Sequence, residues 1–524
     1  MGTFDTIVIG SGFGGAVMAC RLAEQGARVL VLERGRRWDP KEYPRKPGDA
    51  WFYDPDEPHH RNGWIDFRVF PDMMIAQGAA VGGGSLIYAD ISVEAPPHVF
   101  NTGWPPEITY EGLKPHYDEV GRMLDVQVLP DTQLTERLKL MKEAADKLGY
   151  GDRFRKVPIA VTFDPEWHYG LNDPFNEKHS KPFTNAHGKA QGTCIHLGNC
   201  DIGCDVKAKN TLELNYLARA EKHGAEIRPL HVVRSIAPEG TGYGVRFDRI
   251  ENRYLLPGNE TADRVIVAAG SLNSTELLLR CRDQYKTLTN LSPFLGRNWS
   301  SNGDFLTPAF YDDRKVSPTQ GPTITSVIDF LDGSQGGAEF WIQDGGFPDV
   351  LGNLLKAKSS RIKSKKYQPV LEGLQRIFRD RNPARDTMPW FAQGIDAANG
   401  RLHLGRTWYR PWRRALKLDW DIDKSEKVID AIITMHKRLS EATGGKPWVP
   451  PTWTLLKNLV TPHPLGGCNM GITPANGVVD HRGAVFGYEN LYVVDGAIIP
   501  EAIGRNPTRT IAALAERAAT LMVK

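Results

Sequence analysis

The chain has 524 residues, 41% of them hydrophobic and 24% charged, the composition of a globular protein too long for one compact core. A formal charge of +3 gives no electrostatic case for nucleic acid or an anionic membrane surface as partner. No run approaches the roughly 18 apolar residues of a membrane span; the first strand starts too early to leave room for a signal peptide, and six cysteines are too few for a disulfide scaffold, so a cytoplasmic protein with reduced thiols is expected.

The N-terminal stretch reads as an apolar strand (Phe4, Ile7, Val8, Ile9), the turn Gly10-Ser11-Gly12-Phe13-Gly14-Gly15, a helix from Ala16 to Gln25, and a second strand from Ala27 to Leu32 that ends in Glu33 and Arg34. This is G-x-G-x-x-G between strand and helix, with an acidic residue about 20 positions on, the pattern of a dinucleotide-binding unit. Gly10 permits the tight turn, Gly12 lets backbone N–H groups approach a pyrophosphate, and Gly15 lets helix and strand pack closely, while the helix N-terminus favours an anion. Glu33 is expected to accept hydrogen bonds from ribose hydroxyls.

From Arg34 to about Asn62 the chain has no helical period and reads as a surface excursion or lid. Gly78 to Asp90 then holds Val81-Gly82-Gly83-Gly84-Ser85-Leu86, where three consecutive glycines imply that something requires a bare backbone. Helical patterns follow at Tyr110 to Leu124 and Leu134 to Leu148. Cys194, Cys200 and Cys204, with His196, lack a C-x-x-C pair and read as a glycine-punctuated turn before a helix from Thr211 to His223, not as a metal centre. Cys204 is a candidate buried thiol near a bound ligand.

Strand patterns resume at Ala225 to Pro229 and His231 to Ile236 (which includes Val233). A hairpin is expected at Gly244 to Phe247 and Arg253 to Leu256. Arg264 to Ala269 reads as a buried strand running into Gly270 and a helix, a second place where backbone meets a ligand. Between Asn298 and Asp423, short strands at 304–311, 323–330, 337–342, 389–393 and 401–404 suggest an antiparallel sheet suited to a substrate chamber, interrupted by a basic helical tract from Leu354 to Arg379. An amphipathic helix spans Ser425 to Thr443. The C-terminal block carries His463-Pro464-Leu465-Gly466-Gly467-Cys468, then Val494-Asp495-Gly496, and closes on Asn506-Pro507-Thr508 at the start of a last helix.

Together these motifs resemble the glucose–methanol–choline (GMC) flavoprotein oxidoreductases: GSGFGG with ERG, VGGGSL, VIVAAGSLNSTELL, HPLGGC, LYVVDGAIIP and NPTRTIAALAER occur in that family's order along the whole chain. The ending looks most like the cholesterol-oxidase branch. The resemblance implies an α/β fold, with a discontinuous Rossmann-like FAD-binding domain (1–100, 188–297 and 455–524) and a mainly antiparallel substrate domain (101–187 and 298–454).

It further implies FAD bound without a covalent link, since no histidine lies between Gly78 and Asp90. The pyrophosphate would lie on Gly10 to Gly15 (including Ser11, Gly12 and Gly14), the ribose on Glu33, and the adenine side near Val233. The flavin ring would meet Val81, Gly82, Gly83, Ser85 and Leu86, with Ala269 and Gly270 at the second crossing and Asp495, Gly496, Asn506, Pro507 and Thr508 near its other end. His463 and Asn506 match the family's catalytic pair, His463 taking the hydroxyl proton while hydride passes to flavin N5. The implied partners are an alcohol, bulky and apolar (a sterol, terpenoid or long-chain alcohol), and an electron acceptor such as oxygen or a quinone. Sugar or polyol oxidation, and a non-oxidative flavin lyase or decarboxylase acting on fatty acids, are the alternatives. Asp386 lies where steroid-oxidising members carry a glutamate, without supporting isomerase activity, and Tyr88 stands at the edge of the expected flavin pocket.

Overall fold

The computed structural model describes residues 3–350, 383–407 and 410–522. The basic tract Leu354 to Arg379 lies outside the described residues.

A seven-stranded sheet forms the first layer. It is built on β1 (Phe4–Ile9), which carries into α1 (Phe13–Glu24) and β2 (Val29–Leu32). Next come β3 (Glu226–Arg228), β4 (His231–Glu239), β5 (Gly242–Glu251) and β6 (Tyr254–Val267), which leads into α2 (Ser271–Leu279). Strand order is β3-β2-β1-β6-β5-β4. Ile7, Val8, Leu30 and Val31 are wholly buried, the continuous apolar run expected where a parallel strand is covered on both faces.

The second arm of the expected hairpin and the expected strand at Arg264 are one element. The first half of β6 pairs antiparallel with β5, and Ala262 to Val267 continues parallel to β1. A second sheet of six strands is antiparallel and contains β7 (Phe305–Phe310), β8 (Ser326–Gln335), β9 (Ala338–Asp344) and β10 (Thr387–Gly394). The strand Arg401–Thr407, expected to join it, pairs instead with Arg410–Asp419 in a separate ribbon. The helix α3 (Glu426–Ala442) covers the second sheet with Ile429, Ile432, Ile433 and Leu439. Each such buried side chain is worth about 1.5–3 kcal/mol. The helix expected at Thr211 to His223 is interrupted: a single turn Leu212–Leu214 is followed by a helix Tyr216–Lys222, whose N-cap is Asn215.

The C-terminal segment returns to the first sheet. There β11 (Leu491–Val493) runs parallel to β6, and α4 (Thr508–Met522) packs on α1. Arg21 of α1 pins this return, donating to both carboxylate oxygens of Glu516 (2.8 and 2.7 Å), while the Tyr216 hydroxyl donates to the same carboxylate at 2.7 Å.

The carboxyl ends of β1, β6 and β11 approach so closely that glycine is obligatory between them. A Cβ on Gly14 would lie 1.8 Å from the Val494 carbonyl oxygen, and one on Gly10 (φ +97°) would lie 2.4 Å from that of Ala268. Gly14→Ala must therefore part α1 from the Val494 turn. Denaturant unfolding of the apoprotein is expected to show a loss of about 1–3 kcal/mol or more. An unchanged midpoint would refute this close packing.

Candidate active site

One cavity of about 1100 Å³ runs along the carboxyl ends of the first sheet and opens against the second. Gly10, Ser11, Gly12 and Gly14 line it, as do Glu33 and Arg34 at the end of β2, Gly83 of the glycine loop, Val233 of β4, and Ala269 and Gly270 after β6. Asp495 and Gly496, Asn506 to Thr508 and His463 complete the same wall. Residues scattered over five hundred positions are thus neighbours.

Gly15, Val81, Gly82, Ser85 and Leu86 stand behind that wall. Gly15 abuts Gly10, where an added Cβ would meet its carbonyl oxygen at 2.1 Å, and Val81 and Leu86 are core residues. Gly82 (φ +95°) donates its N–H to the Ser11 hydroxyl at 3.0 Å. Ser85 ties the loop to the next segment, donating to the Gly82 carbonyl at 2.7 Å and accepting from the Leu212 N–H at 3.1 Å. Glu33 accepts from the Ser11 N–H (3.0 Å) and hydroxyl (2.7 Å) and, on its other oxygen, from the Gly35 N–H at 2.9 Å. Asp495 is buried and accepts from the Gly270 N–H, the Ser274 hydroxyl and the Ala497 N–H. Burial raises its pKa, and those three donors hold the rise in check. Beside Arg34, burial would raise Asp66, but Arg68 and Arg34 bring it below the ordinary carboxylate value.

The cavity wall suits a flat, anionic dinucleotide. An added Cβ would meet nothing within 4 Å at Gly12 or Gly84, and at Gly270 only Gln77 Oε1 at 4.0 Å. Bare backbone therefore faces open space at three points, one of them the N-cap of α1. The residues fit FAD.

At the other end of the cavity, sequence reasoning found His463 and Asn506 but missed what holds them. His463 Nδ1 lies 2.9 and 3.0 Å from the two carboxylate oxygens of Asp304, which is fully buried. Thr461 donates its hydroxyl to Asp304 at 2.5 Å and accepts the His463 N–H at 2.9 Å. Asn506 Nδ2 lies 3.4 Å from His463 Nε2, and its Oδ1 accepts from Gln343 Nε2 at 2.6 Å. Trp341 Nε1 donates to Gln393 at 2.5 Å, and Gln393 donates to Gln343 at 3.4 Å, so a chain from the second sheet fixes which way the Asn506 amide points.

The turn ahead of β7 organises both residues. Ser300 and Leu465 exchange backbone hydrogen bonds (3.0 Å each), which sets Asp304 against His463. Asn302 (φ +57°) accepts from the Ile503 and Gly504 N–H groups at 3.0 Å each and donates to the Arg505 carbonyl at 2.8 Å, which sets the approach to Asn506. Buried Asp396 anchors the turn by accepting from both hydroxyls and an N–H of Ser300 and Ser301. The sequence carried a signal for this, the run Ser300-Ser301-Asn302-Gly303-Asp304 directly before a strand.

Asp386 does not reach the cavity. Its side chain faces Arg385 at 3.3 Å and its carbonyl accepts from the Tyr311 N–H, whereas Phe391, in the strand β10 that follows it, does line the wall. Cys204 is not on the wall either; its sulfur accepts from the Ala208 N–H. Tyr88 is on it, edge-on to Phe13, with its hydroxyl donating to the Asn210 carbonyl at 3.1 Å.

Comparison with known proteins agrees with this geometry. A GMC oxidoreductase model matches residues 397–515 and an NAD(P)-binding Rossmann-like domain model matches residues 8–38. A cholesterol oxidase of Acinetobacter baumannii is 31% identical over 98% of this chain and 93% of its own length, and one of Mycobacterium tuberculosis is 33% identical over 99% and 91%. A long-chain-alcohol oxidase of Arabidopsis thaliana is 24% identical over 97% of this chain and 65% of its own length. Among solved structures, pyridoxine 4-oxidase from Mesorbium loti superposes with a TM-score of 0.65 at 17% identity, covering 99% of this chain and 98% of that one, which speaks to fold alone.

The chain belongs to the GMC oxidoreductase family. It is an FAD-dependent enzyme of the alcohol-oxidising type, which takes a small-molecule alcohol and an electron acceptor. Among the described residues no helix is long and apolar enough to cross a membrane.

The open face of Gly12 gives a direct check on the cradle. Its φ of −70° suits alanine, so Gly12→Ala should leave apoprotein stability nearly unchanged. The methyl would occupy the cradle, and flavin content after purification is expected to fall about tenfold or more. Full flavin occupancy in that variant would place the pyrophosphate elsewhere.

Proposed function

We propose that this enzyme oxidises a bulky, largely apolar alcohol, with His463 taking the hydroxyl proton and Asn506 orienting the oxygen. The observation that carries this reading is the Asp304–His463–Asn506 arrangement. A carboxylate can only accept a hydrogen bond, so Asp304 fixes the imidazole proton on Nδ1 and leaves Nε2, beside Asn506, as the acceptor. Gln343 occupies Asn506 Oδ1 and so turns the amide N–H groups toward the same space. An alcohol there donates its proton to His463 Nε2 and accepts a hydrogen bond from Asn506 Nδ2. Both interactions strengthen as the oxygen gains negative charge, which is what acceleration requires.

FAD, when bound, supplies the acceptor for the hydride leaving the carbinol carbon. Asp304 then stabilises the imidazolium that results, as a buried carboxylate against a cation does. Phe391, its ring centroid 6.3 Å from that of His463, and Ile324 give this part of the cavity an apolar lining. Similarity to the cholesterol and long-chain-alcohol oxidases points the same way. Tyr88 and Ala89 line the cavity and no histidine lies between Gly78 and Asp90, which supports non-covalent FAD.

His463→Ala should keep its flavin and lower kcat/KM for such alcohols by about 10²–10⁴-fold. Asp304→Asn, which offers a donor or a neutral acceptor in place of the carboxylate, should cost at least about 10²-fold by releasing the wrong tautomer. Steady-state kinetics on flavin-matched samples decides the matter; full activity in either variant would remove His463 from the proton path. Gln343→Leu should raise KM and lower kcat together, by about tenfold in kcat/KM, because the Asn506 amide is then free to flip.

A further inference from the structure

Among the ionisable groups on the cavity wall that the mechanism does not use is Asp201. Asp201 sits in the single turn Cys200–Ile202, half-buried, and its side chain makes no ion pair among the described residues. Thr323, also on the wall, lies beside it, and the Thr323 hydroxyl is buried with no aligned hydrogen-bond partner.

Both residues are held rigidly from behind by buried cations that spend their donors on backbone carbonyls. Lys209 Nζ reaches the Cys200 carbonyl next to Asp201, and also those of Leu86 (3.0 Å) and Tyr88 (3.2 Å) on the glycine-loop side. Arg137 donates to the carbonyls of Thr323 and Pro322, each at 2.8 Å, and to that of Asp344, just before the wall residues Gly345 and Gly346. A rigid polar pair thus stands in a wall whose neighbours include Ile324 and Phe391.

We propose that Asp201 and Thr323 form a specificity subsite that takes a second oxygen function, a hydroxyl or a keto group, on the alcohol being oxidised. This rests on the alcohol-oxidation reading above. The Asp201 carboxyl has the Thr323 hydroxyl beside it and no ion pair, so part of its hydrogen-bonding capacity is left for a ligand in the cavity. Burial pushes Asp201 up to about 7, Lys209 opposing and Asp90 reinforcing the shift, so near neutrality the group serves as donor or acceptor. A substrate ammonium is disfavoured, because Lys209 and Arg137 act on the same carboxyl and would repel it. The substrate class is therefore a bulky alcohol bearing two oxygens, not a hydrocarbon chain with one.

The test uses FAD-loaded wild type, Asp201→Leu and Asp201→Asn, with primary alkanols and the α,ω-diols of the same lengths. Calorimetric binding under anaerobic conditions is measured alongside kcat/KM. Wild type should prefer the diol at a favoured length, and Asp201→Leu should lose that preference by about tenfold or more while retaining mono-alcohol turnover. Asp201→Asn, which preserves both donor and acceptor, should keep much of it. An unchanged diol-to-alkanol ratio in Asp201→Leu, by binding and by turnover, overturns the subsite. If wild type oxidised neither of these nor any sterol or terpenol, the alcohol-oxidation reading would fall, and the calorimetric ratio alone would still decide the role of Asp201.

Discussion

The contact between Asp304 and His463 is the constraint on which the chemistry rests. It joins the six-stranded antiparallel sheet to a smaller four-stranded one: Asp304 stands at the entry to β7, and His463 follows the strand Leu459–Thr461, which pairs with Met73–Gly78. A lone histidine between two prolines can take either tautomer. A buried carboxylate at 2.9 Å leaves it one. The same five-residue turn positions the chain before Asn506 through Asn302, so the two halves of the proposed catalytic pair are set by one local structure. Asp396 makes that turn expensive to deform, since it gathers hydroxyl and N–H donors that would otherwise be buried without partners.

The cofactor end follows a different logic. There the backbone itself is the instrument, and the side chains that matter are the ones absent. Glycine at positions 10 and 14 lets α1, the Ala268 turn and the Val494 turn touch, while glycine at 12, 84 and 270 leaves space open toward the cavity. The Rossmann-like sheet thus supplies a fixed cradle, and the antiparallel sheet supplies the polar chain Trp341–Gln393–Gln343 that reaches Asn506. Division of labour between a rigid nucleotide layer and a variable substrate layer is how one fold serves many alcohols.

Much of this was legible in the chain itself where local pattern carries the information. The turn Gly10 to Gly15 between apolar strands, the segment around Ala269, and the block from His463 to Thr508 each read as ligand-facing, and all of them meet at one cavity. What escaped reading depends on pairing across long sequence separations. Nothing near Asp304 announces a histidine 159 positions away. Gln343 and Gln393 look like ordinary strand residues until the register of β9 and β10 sets Gln393 opposite Trp341 and diagonally across from Gln343. The continuity of β6 was hidden because Pro257-Gly258-Asn259 in its exposed first half reads as a turn, while only Val265 to Val267 at its end form a buried apolar run. The glycine loop misled in a narrower way: Val81, Gly82, Ser85 and Leu86 hold the loop in place, and Gly83 and Gly84 are the ones that face the cavity.

The central claim is that an alcohol lies between His463 and Asn506 with its carbinol carbon facing the bound flavin. Its most direct test is anaerobic mixing of the flavin-loaded protein with a panel of sterols, terpenols, alkanols and sugars, followed in the flavin absorption band. Rapid bleaching by the bulky apolar alcohols, with the carbonyl product formed in equal amount to flavin reduced, is the predicted result. Persistence of the oxidised spectrum with every alcohol, or bleaching by sugars alone, would contradict it.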